Sequence, residues 1–422
     1  MQQMTLALVI FILTYILLLT LPKYRTYIAL GSALLFIVSG ILPLSQAIKE
    51  IDWNVLLMIT GTMGLVSLFI ESKMPALLAD LIISKTPNVK WAIVSLSLFS
   101  GLISAFVDNV ATVLMVAPVA LTIARKLNMS PVSSIIAIAI SSNLQGAATL
   151  VGDTTSIILG GKLGMTFLDF FFYKEWIGIF FVVQISAMVA TLVLLYFFRN
   201  EKQPISVKER TKVKDFFPTV LMISMIVLLI AASFIKIPNT TDSMKNGIIC
   251  IGLYMLGLVV NVIINKNLYF AIRSVKEIDY FTILLLAGLF MVISGIKEAG
   301  VVKAIGDLFG NISDNMFVLF TIIVWTSVVF SAFIDNIPYV MTLIPVIEGL
   351  PFDGPVLFFG LLIGATLGGN LTPIGASANI AALGILRRDG HVVSAKQFMK
   401  ISIPFTLAAV TTGYIMLWLI WR

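Results

Sequence analysis

One cysteine and one histidine are all this sequence offers of soft metal-ligand and thiol chemistry. Cys250 cannot close a disulfide within the chain, and no Cys/His spacing of a metal site can be built. His391 stands in the charged run Arg387-Arg388-Asp389-Gly390-His391, the setting of a solvated loop side chain. No Gly-x-x-x-x-Gly-Lys-Ser/Thr motif is present, so this chain carries no ATP-binding loop of that type. Charge is scarce too, with Asp, Glu, Lys and Arg supplying 12% of 422 residues. The longest polar stretch runs only from Arg199 to Asp215, which leaves no room for a large soluble domain.

What is present is apolar. The chain is 59% hydrophobic with a mean hydropathy of +1.05, which would leave a soluble fold with a largely apolar surface. It is a membrane protein by composition. Apolar blocks from Leu6 to Leu21 and from Ile28 to Leu44 open a succession that continues to Trp421. Each is near the ~20 residues that cross hydrocarbon as a helix. The first lacks the basic start and small-residue cleavage site of a signal peptide, so a retained helix is expected. The net charge of +7 reports topology before ligand chemistry.

The sequence repeats itself. Lys49-Glu50-Ile51-Asp52-Trp53 returns 227 residues later as Lys276-Glu277-Ile278-Asp279-Tyr280. Gly61 and Gly288, Glu71 and Glu298, Asp80 and Asp307, Asp108-Asn109 and Asp335-Asn336, and Pro118 and Pro345 keep the same spacing. Asn143 is paired with Asn370 at that spacing, after which a four-residue difference sets Gly152-Asp-Thr-Thr-Ser-Ile157 against Gly375-Ala-Ser-Ala-Asn-Ile380. Six apolar elements are expected in the first copy, at 4–21, 26–44, 53–70, 91–126, 131–162 and 175–198. The arms of the fourth, Trp91 to Phe106 and Val110 to Ala124, flank Asp108-Asn109, and each is short for a span. A re-entrant hairpin suits them better than two crossings, because irregular backbone at membrane depth survives only beside protein or a cavity. Five crossings per copy is an odd number, so the second copy is expected to be inverted. The resulting prediction is an all-α polytopic membrane protein of two inverted repeats, 1–198 and 217–422, joined by a cytoplasmic linker at 199–216. Each repeat has five transmembrane helices and one re-entrant hairpin, for about 10 crossings in all.

Charge agrees with this layout. With 199–215 in the cytoplasm, cytoplasmic loops hold two Lys or Arg near residue 24, five between 73 and 126, six in 199–214, three in 266–276 and four in 387–400, or 20 of 28. Both termini then lie outside. The first hairpin enters from the cytoplasm and the second, 317–347, from outside.

A carboxylate near the bilayer centre costs at least ~2.5–3.5 kcal/mol, which makes Asp108, Asp335 and Asp153 functional candidates. The competing reading, that each caps its neighbouring half-helix, explains one aspartate better than a symmetric pair. At a hairpin tip, unpaired carbonyls of one arm meet unpaired N–H groups of the next, offering acceptors to a cation and donors to an anion. Asp108 and Asp335 are therefore expected to bind Na+ or carry a proton, with Asp153, Asn109 and Asn336 completing an ion-coupling set. The fifth elements are rich in Gly, Ser, Thr and Asn, the composition of an unwound stretch inside a crossing helix. Asn143, Gly152, Thr154, Thr155 and Ser156, with Asn370, Thr372, Gly375, Ser377 and Asn379, are the expected substrate wall. Glycines taken singly are read first as helix-packing residues.

These segments resemble the ion transporter superfamily, in the branch of arsenite permeases, NhaD-type sodium/proton antiporters and the melanosomal P protein. The resemblance rests on Asp108-Asn-Val-Ala-Thr-Val-Leu, Gly146-Ala-Ala-Thr-Leu-Val-Gly-Asp153, Ile334-Asp-Asn-Ile-Pro338 and Gly368-Gly-Asn-Leu-Thr-Pro-Ile-Gly-Ala-Ser-Ala-Asn-Ile380. It implies a scaffold subdomain, a moving subdomain with both hairpins and both broken helices, elevator-type alternating access and a homodimer. Relatives that move dicarboxylates with sodium carry Ser-Asn-Thr tips, unlike the Asp-Asn here. The P-protein pattern Gly-Asp-Pro-Pro-Asn reads Gly152-Asp153-Thr154-Thr155-Ser156 in this chain. The function expected is secondary active transport of a small inorganic or organic anion or oxyanion coupled to Na+ or H+, the alternative being an Na+/H+ antiporter. No cofactor is expected beyond Na+ as coupling ion. Membrane lipids and a second copy are the expected partners, nucleic acid is not, and the expected location is a bacterial or archaeal inner membrane. An enzyme is not expected: the aspartates sit at equivalent points of a repeat and outside any Gly-x-Gly-Asp context, which argues against an intramembrane aspartyl protease.

Overall fold

The computed structural model describes residues 2–127, 129–205, 211–213, 215–235, 241–263, 266, 268–313, 315–352 and 354–422. In the first half, helices run α1 (Gln2–Thr20), α2 (Arg25–Val38), α3 (Leu44–Lys49), α4 (Trp53–Glu71), α5 (Met74–Ile83), α6 (Val89–Ser104), α7 (Asn109–Lys126), α8 (Val132–Gly146), α9 (Thr154–Lys162) and α10 (Ile179–Phe197). The second half has α11 (Phe217–Phe234), α12 (Thr241–Ile263), α13 (Leu268–Lys276), α14 (Tyr280–Glu298), α15 (Val301–Ile312), α16 (Met316–Ser331), α17 (Asn336–Glu348), α18 (Val356–Gly368), α19 (Ser377–Arg388) and α20 (Ala395–Trp421). The only strands among the described residues are Phe172–Tyr173 and Trp176–Ile177, paired antiparallel. The linker expected at 199–216 falls partly outside the described residues, at 206–210 and 214.

The repeated residues start the same helices for the same reason. Asp52 accepts from Val55 N–H ahead of α4, and Asp279 from Thr282 N–H ahead of α14. Asn88 and Asn315 cap α6 and α16 in the same way, and Asp108 and Asp335 cap α7 and α17. Each cap occupies a backbone donor that a helix start leaves unpaired.

Eight helices among the described residues are long and apolar enough to cross a membrane, which makes this a multi-pass membrane protein. The elements expected at 91–126 and 131–162 are each divided, around Asp108 and around Gly152-Asp153, and their counterparts divide likewise. The element expected at 26–44 is helical only to Val38. Gly40 adopts φ +72°, its N–H meets Ile37 O, and Leu42 N–H reaches back to Phe36 O, the hydrogen-bond pattern that closes a helix on a left-handed glycine. The short helices α3 and α5 lie between apolar elements expected in the first half, and α13 in the segment 266–276 expected as a loop; α15 is a further short helix.

The halves are joined by exchange. Helix α4 packs along α12, α14 packs along α2, and α10 lies against α20. Gly61 makes the first exchange possible, since a Cβ there would stand 2.4 Å from the backbone of Cys250. Close backbone approach of this kind gains dispersion contacts that lipid chains do not supply. Within each half the hairpin's first arm packs on the broken helix, α6 on α8 and α16 on α18. The second arm reaches the other half, α7 to α19 and α17 to α9.

Candidate functional site

Both hairpin tips and both helix breaks converge on one cavity of about 540 Å³. Asp108, Asn109, Asn143, Asp153, Thr154 and Thr155 reach it from the first half, and Asp335, Asn336, Gly375 and Ser377 from the second. Gly152, Ser156, Asn370, Thr372 and Asn379, also expected on this wall, do not line it. They lie behind it and hold it. Ser156 Oγ donates to Gly146 O at 3.2 Å, and Asn379 Nδ2 donates to Gly369 O at 3.1 Å and to Thr372 O at 3.0 Å. Thr372 Oγ1 donates to Ala332 O, as Thr149 Oγ1 does to Ala105 O. Asn370 Nδ2 donates to Ile140 O at 2.8 Å.

Those bonds fix the register between copies. Gly146 and Gly369, Thr149 and Thr372, and Ser156 and Asn379 are all 223 residues apart, and each pair plays one role. The four-residue difference therefore precedes the break, where α17 ends at Glu348 and α7 runs on to Lys126. The counterpart of Asn143 is Thr366 rather than Asn370. The two positions meet between the halves: Asn143 Nδ2 donates to the backbone carbonyl of Thr366 at 2.7 Å, and the Thr366 hydroxyl lies 3.0 Å from that of Thr155. Asn143 Oδ1 in turn accepts from Asn109 Nδ2 at 3.0 Å, joining the first tip to the broken helix.

Only glycine fits at the two breaks. A Cβ on Gly152 would lie 2.6 Å from Gly146 O and 2.8 Å from Ala105 O. On Gly375 it would lie 2.6 Å from Gly369 O and 2.8 Å from Ala332 O. The break is thus pressed against carbonyls at the end of the hairpin's first arm. Beside those carbonyl oxygens, which accept from Thr149, Ser156, Thr372 and Asn379, buried Ser104 Oγ has no hydrogen-bond partner among the described residues.

The three aspartates both cap helices and line the cavity. Asp108 accepts from Ala111 N–H at 3.0 Å. Asp153 accepts from Thr154 N–H at 2.8 Å and from Thr155 Oγ1 at 2.9 Å, and Asp335 Oδ1 accepts from Ile337 N–H at 3.1 Å. Capping and site chemistry coexist in the same carboxylates.

Sequence reasoning missed part of the lining. Glu277, Asp279 and Thr282 at the start of α14, Ser67 on α4 and Arg25 at the start of α2 all face the cavity. Glu277 and Asp279 belong to the repeated Lys-Glu-Ile-Asp motif, which was legible as a register marker and not as part of a site. Arg25, counted only as a topology residue, places Nη1 2.5 Å from Asp335 Oδ2. The lining thus holds five carboxylates and one guanidinium.

A second, nearly closed cavity of about 20 Å³ repeats part of this lining. It contains Glu50, Phe290, Ile293, Ser294, Lys297 and Met341. At the 227-residue spacing these answer to Glu277, Met63, Val66, Ser67, Ile70 and Leu114 of the large cavity.

Comparison with known proteins agrees with this architecture. Residues 15–355 match the model of the CitMHS family, described as citrate transporter. The 46 kDa membrane protein of Mycobacterium leprae is 29% identical over 98% of each chain. The P protein of Sus scrofa is 26% identical over 97% of this chain and 59% of its own length, in line with the resemblance read from the Asp-Asn tips. The YdaH transporter of Alcanivorax borkumensis shares the fold, with a TM-score of 0.58, 12% identity and coverage of 93% of this chain and 97% of that one.

Proposed function

The chain belongs to the citrate transporter family, and from that premise we propose that it is a secondary active carrier of a small carboxylate or oxyanion, driven by Na+ or H+. The carrying observation is the convergence of two Asp-Asn tips and two glycine-pinned breaks on one cavity. In this reading Asp108, Asp153 and Asp335 handle the coupling cation, and Thr154, Thr155 and Ser377, with the N-terminus of α19 that no side chain caps, face the anion.

Alternating access follows from an inverted relation between the halves. On the expected topology, Arg25, Glu277 and Asp279 stand at cytoplasmic helix ends, so the large cavity is the inward path. The small cavity is then its outward counterpart, closed in this state. Exchanging the conformations of the halves would open Glu50, Ser294 and Lys297 to the outside while Ser67 and Glu277 close. Hairpins and broken helices would travel together against a scaffold containing α4, α12, α2 and α14, as an elevator does. A homodimer through that scaffold, an inner-membrane location and termini on the outer side belong to the same reading.

Five carboxylates against one arginine favour a second reading, Na+/H+ antiport with no other solute. Flux in proteoliposomes separates the two. Citrate, phosphate and arsenite are offered under Na+ and H+ gradients to the wild type and to Asp108→Asn. Saturable, gradient-dependent anion uptake that is lost in the variant is the expected result. Na+/H+ exchange unaffected by any anion would replace the carrier with the antiporter. For the access mechanism, Ser67→Cys should label with an impermeant thiol reagent from the cytoplasmic side and Ser294→Cys from outside, the native Cys250 being buried. Both labelling from one side would overturn alternation.

A further inference from the structure

We propose that Arg25 is the anion-recognition residue of the cavity and that its ion pair with Asp335 is the device that couples anion to cation. The inference rests on the carrier reading above and assigns the contact that selects its solute.

Arg25 is the single cation among the lining residues, and its side chain is 31% exposed, within reach of a solute. Its planar guanidinium matches a carboxylate or oxyanion with two parallel hydrogen bonds. In this structure the guanidinium is satisfied by Asp335 instead, whose other oxygen is already committed to Ile337 N–H. Asp335 therefore presents no unpaired charge to a cation while Arg25 holds it.

The first half has no such latch. Gly61 meets Cys250 where its counterpart Gly288 meets Ala29, so α12 positions lie 221 residues beyond those of α2. The position matching Arg25 is then Asn246, which is neutral and does not line the cavity. Asp108 has no ion-pair partner among the described residues. One tip is open to a cation at all times, and the other becomes available only when something takes Arg25 from it.

An incoming anion does that. It replaces the Asp335 carboxylate on Arg25, and the freed Asp335 accepts Na+ or H+. Neither charge is left unpaired when both ligands bind, and one is left unpaired when a single ligand binds. By linkage, each ligand raises the affinity for the other.

On the preceding helix α1, Tyr15 Oη donates to Pro338 O at 2.6 Å and contacts Thr342 Oγ1. The α1–α2 pair thus grips α17 at two points beside the tip, positioning the guanidinium against Asp335.

The full-length chain is tested by radioactive sodium binding and by proton binding, each without and with citrate as the probe anion. Without any anion, Arg25→Gln should bind whichever cation the wild type binds about tenfold more tightly, and adding Asp335→Asn should erase the gain. Citrate should raise cation affinity in the wild type and not in Arg25→Gln, while Arg25→Lys, a charge without the planar fork, keeps a reduced response. If Arg25→Gln does not fold, Asp335→Asn serves: the dependence of its citrate affinity on the cation should fall about tenfold, the remainder coming from Asp108 and Asp153. Equal anion-free cation affinity in wild type and folded Arg25→Gln overturns the proposal, as does an undiminished citrate response in Arg25→Gln or an undiminished cation dependence in Asp335→Asn. If the cation arm behaves as expected and the wild type neither binds nor moves citrate, the latch stands, and the carboxylate-carrier reading and its anion-release step fall.

Discussion

The two hairpin tips are built from the same residues and end in different electrostatic states. Asp108 and Asp335 cap corresponding helices, and each lies beside a break whose glycine is pressed against an equivalent pair of carbonyls. Beyond that frame they diverge. Asn109 gives its amide proton to Asn143, whereas Asn336 accepts from Ser331 Oγ. Asp335 is paired with Arg25, and no described cation pairs with Asp108. A repeat preserves backbone hydrogen bonding because that is what folds each half. The side chains arriving from the other elements are free to differ, and functional asymmetry enters there.

The largest effect expected on this comparison comes from the aspartates. Asp108→Asn should reduce gradient-driven uptake by about a hundredfold or more, given the several kcal/mol at stake in an intramembrane charge. Asp335→Asn should abolish the gradient's effect yet leave anion exchange, because Arg25 is then permanently free. Counterflow of labelled anion in proteoliposomes reads both, and equal loss of exchange would erase the distinction between tips. Next come the breaks, where the halves should behave alike. Gly152→Ala and Gly375→Ala each force a Cβ against carbonyl oxygens at 2.6 Å, and overpacking of this kind costs about 1–3 kcal/mol. Both should lower the melting temperature of the detergent-solubilised protein by similar amounts, and a large difference would break the symmetry assigned to them. The smallest effect separates Asn143 from its counterpart. Asn143→Ala leaves Asn109 Nδ2 without its acceptor and removes the donor to Thr366 O, whereas Thr366→Val removes only a hydroxyl contact. A lost buried partner costs about 1–3 kcal/mol and a single hydrogen bond about 1, so the melting shift should be larger for Asn143→Ala.

Much of this architecture was legible in the sequence, because helix caps and helix-packing glycines are local and the repeat preserves them. Asp52, Asn88 and Asp108 recur with their helices at a constant spacing, and the polar composition of 142–156 identified a break. The register inside the break was misread for a physical reason. The amide of Asn370 resembles that of Asn143, but the four residues were lost earlier, in the shorter α17, where no motif marks the change. Of the expected wall, Asn143, Thr154, Thr155, Gly375 and Ser377 reach the cavity, and the other five support it. Composition identifies an unwound segment without telling its front from its back. Arg25 was hidden for another reason. A basic residue at a helix end serves topology by default, and only the tertiary approach of α2 to α17 brings it to a carboxylate.

The exchange of α4 and α14 between halves also governs how the protein is made. As α4 leaves the ribosome, Gly61 and Gly64 form a bare groove whose occupants, Cys250 and Tyr254, belong to a helix not yet translated. Packing of α4 therefore waits for the chain to reach the end of α12, whereas α6 and α8 already have each other within the first half. Synthesised as two separate chains, the halves would be obligate partners, each carrying the groove that the other fills.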